Sequence, residues 1–270
     1  MDDRPILFFD SGIGGLTVLR EVRFLIPERQ LIYVADDMGF PYGSWEEDRL
    51  KKRIFKVFTN LLTLYNPALC VIACNTVSTL MMTDLRKKFS HILFVGTVPA
   101  IKLAAEKTKS GFISVLATPG TVKRAYTYEL VNTFALQCDV KLVGSEKLAG
   151  FAEGYLRGKS IDLEELRYEI LPCFVEKDGK YTDIIVLACT HYPFLIDFFR
   201  KQALWPVEWI DPAKAIAKHT RSLLPEKMHP ESIKKHKDFA LFTSQNITSS
   251  TEGLLKGFNL DIMKGVDFVR

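Results

Sequence analysis

The chain switches repeatedly between two hydrophobic patterns. Short, mainly apolar runs stand at residues 5–9, 31–35, 68–73, 92–95, 112–116, 140–143, 184–188, 207–210, 239–242 and 266–269. Between them apolar residues recur at steps of three and four, as in Leu50, Ile54, Val57, Phe58, Leu61, Leu62 and Tyr65. The first pattern predicts strands buried on both faces, and the second predicts helices with one apolar side. Punctuation agrees: Pro27 and Pro67 close two helical intervals, and Asp211-Pro212-Ala213 opens a helix with Pro at its first position. Ser44-Trp45-Glu46-Glu47 reads as a capping box, Ser44 capping and Glu47 reaching back. Nearly unbroken strand–helix alternation predicts an α/β fold with mainly parallel sheets covered on both faces. In such sheets ligands bind beyond the carboxyl ends of the strands.

Two of those carboxyl ends carry the same device. Residues 68–73 run into Ala73-Cys74-Asn75-Thr76, and residues 184–188 run into Ala188-Cys189-Thr190-His191. Each is a buried strand, then a cysteine, then a segment able to start a helix. The segments upstream also correspond. A strand and a small polar loop at Asp10-Ser11-Gly12-Ile13-Gly14-Gly15 precede the first cysteine, and Ala117-Thr118-Pro119-Gly120-Thr121 precedes the second. We read this as an internal duplication of an α/β unit. The crossings are placed near residues 96–98 and 205–210. That gives one unit of 1–97 plus 208–270 carrying Cys74, and another of 98–207 carrying Cys189.

Composition narrows the function classes. The 270 residues carry a net charge of +4, and their lysine clusters, such as Lys51-Lys52-Arg53 and Lys234-Lys235-His236-Lys237, are not interleaved with aromatics. Nucleic acid is not expected as a partner. No apolar run reaches the roughly 18 residues of a membrane span, and the acidic start Met1-Asp2-Asp3 is not a signal peptide, so a cytoplasmic protein is expected. The basic stretch 225–237 reads as an exposed excursion. Five cysteines, an odd number with no C-x-x-C, argue against a disulfide framework and against a zinc site. Cys70, Cys138 and Cys173 read as buried structural thiols. The loop after residue 9 lacks dinucleotide spacing and a Walker lysine, so its glycines are expected to let a ligand approach the backbone.

A cysteine at a helix start has a lowered pKa, and the amides just after it can bind a carboxylate. Two such thiols, each roughly 3–3.5 Å from one carbon, would sit on its opposite faces. One would remove a proton and the other deliver one, inverting the stereocentre without metal or cofactor. His191 is the candidate proton acceptor beside Cys189, and Asp10 is the matching carboxyl for Cys74. Three alternatives stay open: a racemase for aspartate or another carboxylic acid, a binding protein that has lost catalysis, and acyl transfer by Cys189 with His191. The last leaves Cys74 without a task.

The chain resembles the glutamate racemases of bacterial cell-wall synthesis. The matching residues are Phe9-Asp10-Ser11-Gly12-Ile13-Gly14-Gly15-Leu16-Thr17-Val18-Leu19, Pro41-Tyr42-Gly43, Ala73-Cys74-Asn75-Thr76 and Ala188-Cys189-Thr190-His191-Tyr192-Pro193, in order across most of the chain. The resemblance implies two pseudo-symmetric α/β domains with the active site in the cleft between them. It implies a cofactor-independent homodimer that supplies D-glutamate for peptidoglycan. Cys74 would take the α-proton from D-glutamate and Cys189 from L-glutamate. Asp10 and His191 would assist them, with Glu153 in support. Asp10, Ser11, Pro41, Tyr42, Gly43, Asn75, Thr76, Thr118, Thr121 and Thr190 would hold the substrate. One stretch departs from the family's usual Gly-Asp followed by small and basic residues: here it is Ala35-Asp36-Asp37-Met38-Gly39-Phe40. Nine residues precede Asp10. Activation by a cell-wall nucleotide precursor, which the resemblance ties to members with an N-terminal extension, is therefore not expected.

Overall fold

A computed structural model describes residues 3–225 and 236–265. The first strands and helices are β1 (Ile6–Asp10), α1 (Leu16–Leu25), β2 (Leu31–Ala35), α2 (Glu47–Tyr65), β3 (Leu69–Ile72), α3 (Asn75–Lys88), β4 (Leu93–Gly96) and α4 (Ile101–Lys107). There follow β5 (Phe112–Ala117), α5 (Pro119–Val122), α6 (Ala125–Phe134), β6 (Asp139–Gly144), α7 (Leu148–Leu156) and α8 (Leu163–Ile170). The last are β7 (Glu176–Lys177), β8 (Lys180–Tyr181), β9 (Ile184–Ala188), α9 (Ile196–Gln202), β10 (Glu208–Ile210), α10 (Ala213–Ser222), β11 (Phe239–Phe242), α11 (Ser249–Gly257) and β12 (Asp261–Ile262).

Two parallel sheets form, as the alternation predicts. One has the strand order β12-β11-β2-β1-β3-β4 and the other β10-β9-β5-β6. Strands β1, β2, β3 and β9 are buried along their whole length. Helices on both faces account for this, and each sheet has one apolar cluster on either side. Burying one Leu, Ile or Phe side chain contributes about 1.5–3 kcal/mol, so these clusters supply the main driving force against chain entropy. Helix α2 shows the local logic. Its steps of three and four put Leu50, Ile54, Val57, Phe58, Leu61 and Leu62 on the sheet, and Asn66 ends it in a left-handed turn at φ 40°.

Several sequence expectations are corrected. Ser44 does not cap α2: it closes a 3-10 turn over Tyr42–Ser44, and its hydroxyl bonds the Pro41 carbonyl at 3.1 Å. Glu46 is the N-cap, its carboxylate accepting the Asp48 and Arg49 amides at 3.0 Å each. Glu caps here because the turn consumes the serine first. Residues 208–210, expected with the first unit, pair with β9, so the return crossing lies beyond Ile210. A hairpin, β7–β8, turns at Asp178-Gly179, an unheeded turn signal. Residues 226–235 of the basic excursion, and the strand expected at 266–269, lie outside the described residues. Among the described residues no helix is long and apolar enough to cross a membrane.

Candidate active site

Strands β1 and β3 are neighbours with Phe9 opposite Ile72, so Asp10 and Cys74 leave that sheet side by side. Cys74 is extended, at φ −146° and ψ 115°, and is the N-cap residue of α3. Asp10 is buried; it accepts the Ser11 amide at 2.8 Å and the Gly15 amide at 2.6 Å. Burial pushes its carboxyl up to about 6, against the pull of His191 and the two amides. The Cys74 thiol lies within hydrogen-bonding reach of that carboxyl. Burial, and then the Asp10 charge, hold the thiol well above its ordinary range, while the Val77 amide pulls it down less strongly. The lowered thiol pKa expected from a helix start is therefore reversed at Cys74, because desolvation and a neighbouring carboxylate outweigh the helix amides.

Strands β5 and β9 are neighbours in the same way, with Ala117 opposite Ala188. Thr118 therefore stands where the first unit has Asp10, and the second thiol takes its ionisable partner from its own loop. His191 Nδ1 is 3.8 Å from the Cys189 sulfur. No helix starts directly after Cys189; a 3-10 turn over Tyr192–Leu195 precedes α9. His191 Nε2 stands 2.9 Å from Glu153 Oε1, which also accepts the Ile13 amide at 2.7 Å, and 3.2 Å from the Gly14 amide nitrogen. Glu153 Oε2 accepts from Arg157 at 3.0 Å. Burial works against a charged imidazole, but the bonds to Cys189 and Glu153 and the Asp10 charge outweigh it, holding His191 well above its ordinary value. Burial likewise pushes Glu153 up, yet His191, the Ile13 amide and Arg157 leave it below the usual range.

Both thiols line one cavity. Asp10, Ser11, Pro41, Tyr42, Gly43, Asn75 and Thr76 join Cys74 on one wall, and Thr118, Thr190 and His191 join Cys189 on the other. Two expected site residues stand behind this lining. Thr121 bonds the Thr118 hydroxyl at 3.2 Å, and Glu153 sits behind His191. Both amide atoms of Asn75 are buried and have no protein partner among the described residues.

The units meet through close contacts. Thr190 Oγ1 donates to Asp10 Oδ2 at 3.2 Å, and Arg124 pairs with Glu47 across the other rim. The glycines of the first loop serve this contact. A Cβ on Gly12 would lie 2.1 Å from Glu153 Oε1, and one on Gly14 would lie 2.4 Å from His191 Nδ1. What approaches this backbone is the second unit, not only a ligand.

Comparison with known proteins decides the family. No family model matches the chain. A glutamate racemase of Bartonella henselae is 80% identical over 268 residues, covering 99% of each chain. A glutamate racemase of Brucella anthropi is 57% identical, covering 96% of this chain and 93% of its own. The chain belongs to the glutamate racemase family. It is therefore an amino-acid racemase, of the isomerase class. The structure of Escherichia coli glutamate racemase in complex with L-glutamate and the activator UDP-MurNAc-Ala superposes with a TM-score of 0.84 at 36% identity, covering 96% of this chain and 97% of that one.

For a glutamate racemase the departure at residues 35–40 has a structural account. Asp36 is buried and bound by Arg53 through Nε at 2.6 Å and Nη2 at 2.5 Å, and it accepts from the Tyr42 hydroxyl. This cluster anchors the turn that carries Pro41, Tyr42 and Gly43 to the cavity. Sequence reading missed it because Asp36 and Arg53 come from a loop and a helix with no motif joining them. Phe40 was missed too; its ring packs 5.4 Å from the His191 imidazole and lines the cavity. Cys70 and Cys173 are buried thiols pushed up by burial and lie outside the cavity lining.

Proposed function

We propose that this racemase interconverts L- and D-glutamate by passing the α-proton between two thiols. One observation carries this reading: Cys74 and Cys189, from different sheets, line the same cavity, each beside its own ionisable partner. From L-glutamate, the Cys189 thiolate takes the α-proton and leaves a carbanion. The Cys74 thiol delivers its proton to the opposite face. D-glutamate leaves with Cys74 as thiolate and Cys189 as thiol, and the reverse reaction runs the steps backwards. The scheme calls for no cofactor.

Supporting roles follow from charge. Asp10 accepts from Cys74, and the His191–Glu153 pair stabilises negative charge on Cys189. The first turn of α3 and the unpartnered Asn75 amide suit a substrate carboxylate. Ser11, Pro41, Tyr42, Gly43, Thr76, Thr118 and Thr190 form the remaining walls, with Thr121 holding Thr118. The two units act as domains with the site between them. The family resemblance further implies a cytoplasmic homodimer that supplies D-glutamate for peptidoglycan.

Short incubations in D2O test the proton path. Deuterium should enter the α-carbon of the product enantiomer but not of recovered substrate. Equal labelling of both would show one base serving both faces, and faster turnover of aspartate than glutamate would overturn the substrate assignment.

A pH dependence follows from Asp10. Its folded-state value of about 6 lies above the ordinary carboxyl value of 3.8, so the folded state holds this proton more tightly. The associated stabilisation, about 3 kcal/mol, is complete below about pH 4 and lost as pH rises through 6. The fold thus carries a destabilising carboxylate at neutral pH, where it can accept from Cys74. We expect kcat/KM to fall below about pH 6 in the parent enzyme, and this limb to be absent from the residual activity of Asp10→Asn. An identical acid limb in both proteins would contradict this role.

A further inference from the structure

The carboxylate behind His191 is held from two sides. Glu153 gives one oxygen to His191 Nε2, at 2.9 Å, and the other to Arg157 Nη2, at 3.0 Å. Glu153 and Arg157 are four residues apart, one turn of α7, so their side chains share a face. Arg157 is the C-cap of that helix, where a cation also suits the helix dipole. Gly158 follows at φ 87°, and the Lys159 amide bonds the Gly154 carbonyl at 2.9 Å. This left-handed turn ends the helix and fixes where Arg157 stands.

The second cation matters because of burial. A buried carboxylate facing only an imidazolium has a neutral alternative, in which the proton crosses from His191 to Glu153. An arginine cannot surrender a proton, so its charge on the far oxygen favours the ionised carboxylate. With the Nε2 hydrogen held by Glu153 at 2.9 Å, in preference to Nε2 accepting the Gly14 amide at 3.2 Å, His191 keeps hydrogens on both ring nitrogens, and Nδ1–H faces the Cys189 sulfur.

We propose that Arg157 is a positioning residue that acts through Glu153 and His191 to favour the thiolate of Cys189. The proposal rests on the two-thiol reading above. Among the described residues no such arginine stands behind Asp10, the partner of Cys74, so the effect of Arg157 falls on one thiol alone.

The test is the full-length Arg157→Gln enzyme with α-deuterated L- and D-glutamate. Because the enantiomers are equal in energy, kcat/KM must fall equally in both directions, by about tenfold. The isotope effects should move oppositely. Proton transfer at Cys189 becomes more rate-limiting, so the effect on kcat/KM rises from L-glutamate and falls from D-glutamate. These ratios do not depend on the fraction of folded enzyme, so a merely structural role would leave them unchanged. Arg157→Lys, which keeps the charge, should recover most of the activity. Unchanged isotope effects in Arg157→Gln, in an enzyme that passes the D2O test, would overturn this proposal alone. An enzyme that fails the D2O test would overturn the two-thiol reading, and this proposal with it.

Discussion

Serine in place of either Cys74 or Cys189 is expected to lower racemisation by about 10²–10⁴-fold in both directions, the contribution of general acid–base catalysis. A hydroxyl is too weak an acid to hold the negative charge that the thiolate carries. Loss of fold is not the cause. Cys74 is the N-cap of α3, where the Val77 amide acts on its sulfur, and serine is a preferred residue there whose oxygen can accept that amide. The Cys189 sulfur faces His191 Nδ1 at 3.8 Å, a contact a smaller oxygen can approach more closely. The remaining thiol should still exchange the α-proton of one enantiomer with solvent: the L-form in Cys74→Ser and the D-form in Cys189→Ser. Polarimetry and proton magnetic resonance in D2O read both quantities. More than a tenth of parent activity in either variant would contradict the two-thiol mechanism.

Gly14→Ala should cost about 10²-fold in kcat/KM, the scale expected when reacting groups move by about 1 Å. Its Cβ would lie 2.4 Å from His191 Nδ1 and 2.7 Å from two ring carbons. The ring has little room to retreat. Phe40 packs against it, and Glu153 holds Nε2 at 2.9 Å. Either the imidazole leaves Cys189 or the two units separate at that rim. Overpacking of this kind also destabilises by about 1–3 kcal/mol, so the thermal midpoint should fall. Full activity in Gly14→Ala would show that His191 can move freely without consequence.

Much of this arrangement was legible in the residues. Mainly apolar runs marked the buried strands because parallel strands covered by helices face no water on either side. The paired Ala-Cys ends stood out because a polar loop follows each at once. What stayed hidden depended on partners distant in sequence. Asp36 and Arg53 meet through tertiary packing, and nothing local marks them. Gly12 and Gly14 are small because Glu153 and His191 press on them from the other unit, yet alone they suggested only ligand access. The direction of the Cys74 shift was misjudged because a helix start is visible in sequence and a buried carboxylate beside it is not. Ser44 offered a valid cap signal, and a preceding turn took it up.

The buried thiol beside Asp10 has a consequence for the free enzyme. On the two-thiol reading, each turnover leaves the proton on the opposite sulfur, so the unliganded enzyme exists as two tautomers, each receptive to one enantiomer. Holding Cys74 protonated favours the L-receptive tautomer over the other. Conversion of D-glutamate then draws on a minority form, and conversion of L-glutamate leaves that form behind. Between successive L-to-D turnovers the enzyme must relax, with no substrate bound, before it can accept another molecule of the same hand. Under heavy one-way flux that silent relaxation adds to every cycle a step with no chemistry at carbon.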